Sequence, residues 1–235
     1  MKSSRDSAGR FHWRWLISRE GRPFAAFAGL AVVLFLALRF ASELAEGEGL
    51  AFDKALLLAL RQPDDLAQPI GPAWLQTVMV DITALGSTTV LTLMVVLAVS
   101  YLLAIRQRLV ALVIIASVTG GALLNFLLKA GFARPRPDLV AHLVKETSMS
   151  FPSGHSANSA VIYLTLAILL AGTQTQLRVR WLIIICALLL TITIGATRVY
   201  LGVHWPSDVV AGWAIGASWA LFCWSMSNGV RNRAG

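Results

Sequence analysis

The sequence predicts an all-α, polytopic membrane protein with six transmembrane helices. Three observations carry that prediction. First, 57% of the 235 residues are hydrophobic and only 14% are charged, against about 25% charged in an ordinary soluble protein. Second, six separate runs are long and apolar enough to cross a bilayer core of ~30 Å, which takes about 20 residues as a helix. Third, the basic residues gather on short connectors that fall on one side of those runs. This composition excludes a disordered chain, a disulfide-stapled secreted domain and an ordinary cytosolic enzyme. Cys186 and Cys223 each lie within an apolar run and are expected to be small buried hydrophobes, not a bridge or a metal site. The net charge of +8 does not point to nucleic acid, because the basic residues are dispersed on membrane-flanking loops.

In chain order, a basic segment over 1–23 precedes the first run, 24–44. That run opens Phe24-Ala25-Ala26-Phe27 and carries only Arg39 before Glu43. No cleavage pattern follows it, and Glu46 and Glu48 sit in a Gly-containing linker, so a retained span is expected. The segment 45–86 is not a span. Its stretches 51–60 and 74–85 alternate apolar and polar residues at helical spacing, broken at Gln62-Pro63-Asp64-Asp65. They are expected as amphipathic helices along the outer membrane surface, with an ordinary folded loop as the alternative. Five further runs follow at 87–105, 109–130, 154–172, 181–197 and 206–226. The spanning domain is therefore 24–226, with a short tail over 227–235.

The charges orient the chain. With the amino terminus in the cytoplasm, Lys2, Arg5, Arg10, Arg14, Arg19, Arg22, Arg106, Arg108, Arg178, Arg180, Arg231 and Arg233 all lie inside, against only Asp6 and Glu20. Every inside connection is short and basic, the setting in which the positive-inside rule applies. The reverse orientation would put all of those loops outside. Both termini are thus expected in the cytoplasm. Trp13, Trp15, Trp74 and Trp181 flank the runs, as interfacial aromatics do.

Three motifs fall together on the outer side. Lys129 ends the third run, followed after six residues by Arg136-Pro137; two X-Pro steps, Arg134-Pro135 and Arg136-Pro137, stop the helix. Alone, this could be a snorkelling lysine with a basic loop. Next comes Phe151-Pro152-Ser153-Gly154-His155-Ser156, directly before the fourth run. A helix beginning there turns unpaired N–H groups and its positive dipole end outward, which suits an anion; Ser153 could equally be a plain N-cap. The third motif is Thr197-Arg198, then His204 and Asp208, between the fifth and sixth runs. Ionisable groups are costly so close to a membrane. His204 and Asp208 are four residues apart and share one face if a helix starts near His204. A carboxylate on one imidazole nitrogen fixes the tautomer and leaves the other free to attack. A charge-compensated cluster holding the helices in register is the alternative. Together the motifs bring three cations, two histidines, one carboxylate and a helix N-terminus to one face, a set suited to phosphate chemistry.

At these residues the sequence resembles the type 2 phosphatidic acid phosphatase superfamily, which includes the vanadium haloperoxidases. Lys129 with Arg136-Pro137 matches that family's first motif, Pro152–His155 its second, and Arg198, His204 and Asp208 its third. Thr197 stands where the family usually has Ser, which keeps a hydroxyl. The resemblance implies that His204 is the nucleophile, Asp208 its orienting partner and His155 the general acid. It implies that Lys129, Arg136, Arg198, Ser153 and the Gly154 backbone hold the phosphoryl oxygens. Arg134 lies outside the family pattern, and Asp138 and Glu146 are expected to be solvated loop charges.

The outer loops lack the carboxylate cluster that Mg²⁺ or a similar ion requires, so no metal and no cofactor is expected. The expected activity is metal-independent removal of phosphate from membrane lipid phosphates or pyrophosphates. The resemblance suggests the undecaprenyl pyrophosphate, phosphatidylglycerophosphate, phosphatidic acid or lipid A class. The short basic loops and brief outer connections suggest a bacterial inner membrane with the site facing the periplasm. The alternatives are a six-span phosphate-lipid transporter or flippase without hydrolysis, and a haloperoxidase, whose relatives are generally soluble.

Overall fold

The computed structural model describes residues 22–45 and 50–231. Helix α1 runs Arg22–Ala45, and α2 runs Leu50–Leu58. A small antiparallel hairpin, β1 (Arg61–Gln62) and β2 (Asp65–Pro69), follows. Then come α3 (Ala73–Ala84), α4 (Thr88–Ala104), α5 (Arg108–Phe132), α6 (Gly154–Thr173), α7 (Leu177–Tyr200) and α8 (Pro206–Arg231). The basic segment over 1–23, with Trp13 and Trp15, lies almost wholly outside the described residues.

Four helices among the described residues are long and apolar enough to cross a membrane: α5, α6, α7 and α8. The pair α3 and α4 meets the same test jointly, bent by 44° at Leu85–Ser87. In α1 the described apolar stretch is Ala25–Leu36. The expected surface segments over 51–60 and 74–85 do form helices, but α3 continues through a tight bend into α4. The break at 62–65 is a hairpin turn, because Gln62 pairs with Asp65 across Pro63-Asp64. Asp65 accepts from Ala67 N at 2.9 Å and closes the turn.

The outside of the bundle is apolar. Leu93, Leu97, Leu112, Leu123, Phe126, Leu182 and Leu189 all face outward and exposed, as they must where lipid is the solvent. The same physics corrects one expectation. Cys186 is exposed and Cys223 half-buried, both as free thiols. An apolar run in a membrane helix is covered by lipid as readily as by protein, so it does not imply burial within the bundle.

Helices α6 and α8 form the centre of the bundle. They approach closely because α8 carries glycine there: a Cβ on Gly216 would come within 2.4 Å of the Ala157 carbonyl. Apolar packing of Leu91, Val161, Ile162 and Ile194 fills the middle. Within this apolar layer Trp219 Nε1 donates to Ser117 O at 2.8 Å, and the Ser117 and Thr165 hydroxyls meet at 3.3 Å. Such bonds satisfy polar groups that lipid cannot.

Successive spans alternate in direction, so the C-terminal ends of α5 and α7 and the N-terminal ends of α4, α6 and α8 share one end of the bundle. Residues 50–86 cover this end. Tyr200 Oη donates to Ile70 O at 2.9 Å, Arg61 Nη1 donates to Tyr200 O at 3.0 Å, and Tyr163 Oη donates to Leu85 O at 2.8 Å. Leu57 packs with Val140, Val199, Trp205 and Val209 and pins α2 to the same place.

Candidate active site

The three sequence motifs converge at that end. Helix α5 stops at Ala133, whose left-handed backbone (φ 44°) turns the chain into Arg134-Pro135-Arg136-Pro137. The loop 133–153 then crosses the bundle end and enters α6 through a cis Phe151–Pro152 peptide. Ser153 caps α6: its Oγ accepts from Ser156 N and from Ser156 Oγ, the latter at 3.0 Å. Its own N–H donates to Asp208 O at 3.0 Å and ties the starts of α6 and α8 together. Gly154 lies against Lys129: a Cβ there would stand 3.7 Å from Lys129 Cε. Gly202 (φ +77°) turns the chain between α7 and α8, and a Cβ there would reach within 2.7 Å of Ala141 O.

His204 and Asp208 are wholly buried, at 1% and 0% exposure. His204 Nδ1 faces Asp208 Oδ2 at 3.5 Å, and Nε2 faces Arg136 Nη1 at 3.2 Å. Arg136 can only donate, so Nε2 must be the unprotonated nitrogen and Nδ1 carries the proton. Asp208 Oδ2 also accepts from Ser150 Oγ and, at 3.0 Å, from Trp205 N. Its other oxygen takes a charged bond from Arg134. Burial lowers the His204 imidazole to about 4, although Asp208 opposes the shift. The ring is therefore neutral across the physiological range. Protonation would occupy the Nε2 lone pair, and the lowered value moves that protonation to more acid pH. The acid limb of kcat/KM, corrected for the substrate's own ionisation, is expected to lie below the ordinary imidazole value of about 6.5. A limb at or above that value would contradict a neutral His204.

Arg136 meets Nε2, and the other cations gather beside it. Arg136 Nε donates to Ser148 O at 2.8 Å, and its Nη2 to Ser148 Oγ at 3.2 Å. Lys129 Nζ reaches the same Ser148 Oγ at 3.3 Å and also Met149 O. Arg198, only 1% exposed, donates to Thr83 Oγ1 of α3 at 2.9 Å and to Glu146. Arg198 Nε is buried without a hydrogen-bond partner. His155, on the first turn of α6, backs onto Gly86 and lies within electrostatic range of Arg198, Glu146 and His204. Thr197 is fully buried, and its hydroxyl is spent on Ile194 O at 2.6 Å.

One expectation changes, and one open role is filled. Glu146 is not a solvated loop charge. It pairs with Arg198 and, at 3.6 Å, with Arg136. Burial alone would raise its carboxyl, but Arg198, His155 and Arg136 together hold it below the usual range. Arg134 acquires partners: it bridges Asp208 and Asp53, the latter at 2.8 Å. Sequence reasoning missed Asp53, Ser148, Ser150 and Thr83. The only sign available was that Asp53 precedes Leu57 by one helical turn, which gives α2 a face to bury.

Apolar spanning helices that converge on guanidinium, ammonium and imidazole groups define a class, a polytopic membrane enzyme that handles phosphate. The model of the PAP2 superfamily matches residues 109–231, and the chain belongs to that superfamily; by enzyme class it is a membrane-integral lipid phosphatase. Phosphatidylglycerophosphatase B of Bacillus subtilis is 36% identical over 167 residues, covering 71% of this chain and 76% of that protein. A lipid A 1-phosphatase of Rhizobium johnstonii is 37% identical over 117 residues, covering 45% of this chain and 43% of that one. Among solved structures, the transmembrane PAP2-type phosphatidylglycerolphosphate phosphatase of Bacillus subtilis superposes with a TM-score of 0.72 at 30% identity, over 88% of this chain and 97% of that one. Aquifex aeolicus LpxE follows with a TM-score of 0.56 at 25% identity, over 74% of this chain and 95% of that one.

Proposed function

We propose that the protein dephosphorylates lipid phosphates or pyrophosphates through a phosphohistidine at His204, without a metal ion. The observation that carries this reading is the orientation of His204, with Nδ1 on Asp208 and the Nε2 lone pair turned towards Arg136. The Nε2 lone pair attacks phosphorus in line, and the bond from phosphorus to the leaving oxygen breaks. His155 gives that oxygen a proton. Water then attacks phosphorus and yields a proton to His155, the N–P bond breaks, and inorganic phosphate and neutral His204 are regenerated. Lys129, Arg136 and Arg198, with the α6 N-terminus at Ser153 and Gly154, stabilise charge on the equatorial oxygens. The unpartnered Arg198 Nε is a donor that a phosphoryl oxygen would satisfy.

Among the described residues, no group of three or more His, Cys, Asp or Glu side chains is placed to hold a metal ion. Phosphate release from phosphatidylglycerophosphate, phosphatidic acid and undecaprenyl pyrophosphate in detergent is expected to persist in EDTA. Loss of activity restored by Mg²⁺ would overturn the metal-free reading. Binding of these lipids without phosphate release would favour a transporter or flippase. The named activity of the Bacillus subtilis relative supports phosphatidylglycerophosphate as the first substrate to test.

The reading includes six spans, with α1 as the first and the bend at Leu85–Ser87 separating a surface helix α3 from the span α4. The spanning domain is 24–226, flanked by 1–23 and 227–235. The basic residues on the α4–α5 and α6–α7 connections support cytoplasmic termini and a periplasmic site in a bacterial inner membrane.

His155→Ala is expected to slow a lipid monophosphate, whose leaving group is a poor alkoxide, far more than a lipid pyrophosphate, which expels a phosphate monoester. Rate ratios for the two substrates measure this. An equal loss on both would argue against His155 as the acid.

A further inference from the structure

We propose that Asp53 of α2 is a positioning residue that acts through Arg134 on the Asp208–His204 pair, so that the segment between the first two spans is a working part of the site. The inference rests on the reading of His204 as nucleophile.

Asp53 is fully buried. Its Oδ1 accepts from Ser207 N at 2.9 Å, and its Oδ2 accepts from Ser207 Oγ at 2.6 Å and from Arg134 Nη2 at 2.8 Å. The other arm of the same guanidinium goes to Asp208 Oδ1 and to Ser207 Oγ, the latter at 2.8 Å. The Arg134 fork lies over the Trp205 ring, 5.4 Å from its centre. A single planar cation thus joins two buried carboxylates from opposite ends of the sequence, and the second of them holds His204.

This geometry has two consequences. The fork fixes the plane of the Asp208 carboxylate, because Oδ1 is held by Arg134 while Oδ2 is held by Trp205 N and Ser150. Asp53 also shares the positive charge of Arg134. Without it, the whole of that charge would fall on Asp208 and weaken the pull of the carboxylate on the His204 Nδ1 proton. Asp53 makes one contribution that is purely structural, the capping of α8 at Ser207. Asparagine preserves it, since an amide oxygen still accepts from Ser207 N, while the amide nitrogen faces Arg134 Nη2, so the negative charge and the bond to the guanidinium are both lost.

The test measures phosphate release from phosphatidylglycerophosphate in detergent for Asp53→Asn, Arg134→Lys and the double variant, with His204→Ala as reference. Asp53→Asn is expected to lower kcat by on the order of tenfold and leave KM within about twofold. Arg134→Lys keeps the charge and loses the fork, and is expected to lower kcat similarly. Because the fork is one of the two routes by which Asp53 acts, adding Asp53→Asn to Arg134→Lys should cost less than the same change in the parent. The proposal is overturned if the two effects multiply. It is also overturned if Asp53→Asn raises KM at unchanged kcat, or if its loss follows only the amount of folded protein judged by thermal unfolding. An active His204→Ala would instead sink the nucleophile assignment, and an inactive one beside an unimpaired Asp53→Asn would sink the positioning role alone.

Discussion

His204→Ala is expected to reduce phosphate release by about 10³-fold or more while the protein still folds. The size of the effect follows from the assigned role: without the imidazole there is no atom to take the phosphoryl group, and the cations can only bind it. The structure also explains why folding should survive. His204 sits on a turn whose backbone is held by other groups. Val203 N bonds Arg198 O at 3.2 Å, Val203 O accepts from Arg136, and Trp205 N donates to Asp208. Loss of the ring should cost about 1–3 kcal/mol, the usual range for a single substitution. Elution as a sharp peak in detergent, with unchanged helical circular dichroism, would check that. Turnover within tenfold of the parent would show that another group accepts the phosphoryl.

Asp208→Asn is expected to lower kcat by about 10⁴-fold, the scale on which orienting carboxylates act when replaced by an amide. The neighbours of Asp208 explain the size. Arg134 and Trp205 N are donors without alternative, and Ser150 and His204 Nδ1 also point hydrogens at the carboxylate. An amide has one acceptor oxygen, so one of its N–H groups must meet a donor in either orientation. Facing His204, that N–H would demand an unprotonated Nδ1 and move the proton to Nε2, the nitrogen that must attack. The fold should tolerate the change, because Asp53 still compensates Arg134. Phosphate release together with thermal unfolding separates the two effects, and a kcat within tenfold of the parent would remove Asp208 from the role of orienting group.

Much of the site could be read from the sequence because it consists of local signals at fixed spacing. Lys129 and Arg136 flank a helix stop, Ser153 begins a helix, and His204 and Asp208 are one turn apart. The long apolar helices α5 to α8 were legible for a related reason: length and apolarity are properties of consecutive residues. What failed to show were contacts between distant segments. Glu146 resembles a loop charge until the fold places it between Arg136 and Arg198. Ser148 and Ser150 have no special neighbours in sequence, yet one receives Arg136 and Lys129 and the other donates to Asp208. The two cysteines failed differently, because apolarity in a lipid environment does not distinguish the inner face of a helix from the outer.

The amino-acid sequence by itself determined the class of fold and which histidines and cations gather at one end of the bundle. It could do so because helix periodicity, helix termination and charge asymmetry across a membrane are each encoded within one or two turns of chain. Only the tertiary structure decided how those groups are compensated. Asp53 reaches Asp208 through Arg134 across the folded bundle, and a buried charge takes its partner from whatever the packing brings within about 3 Å.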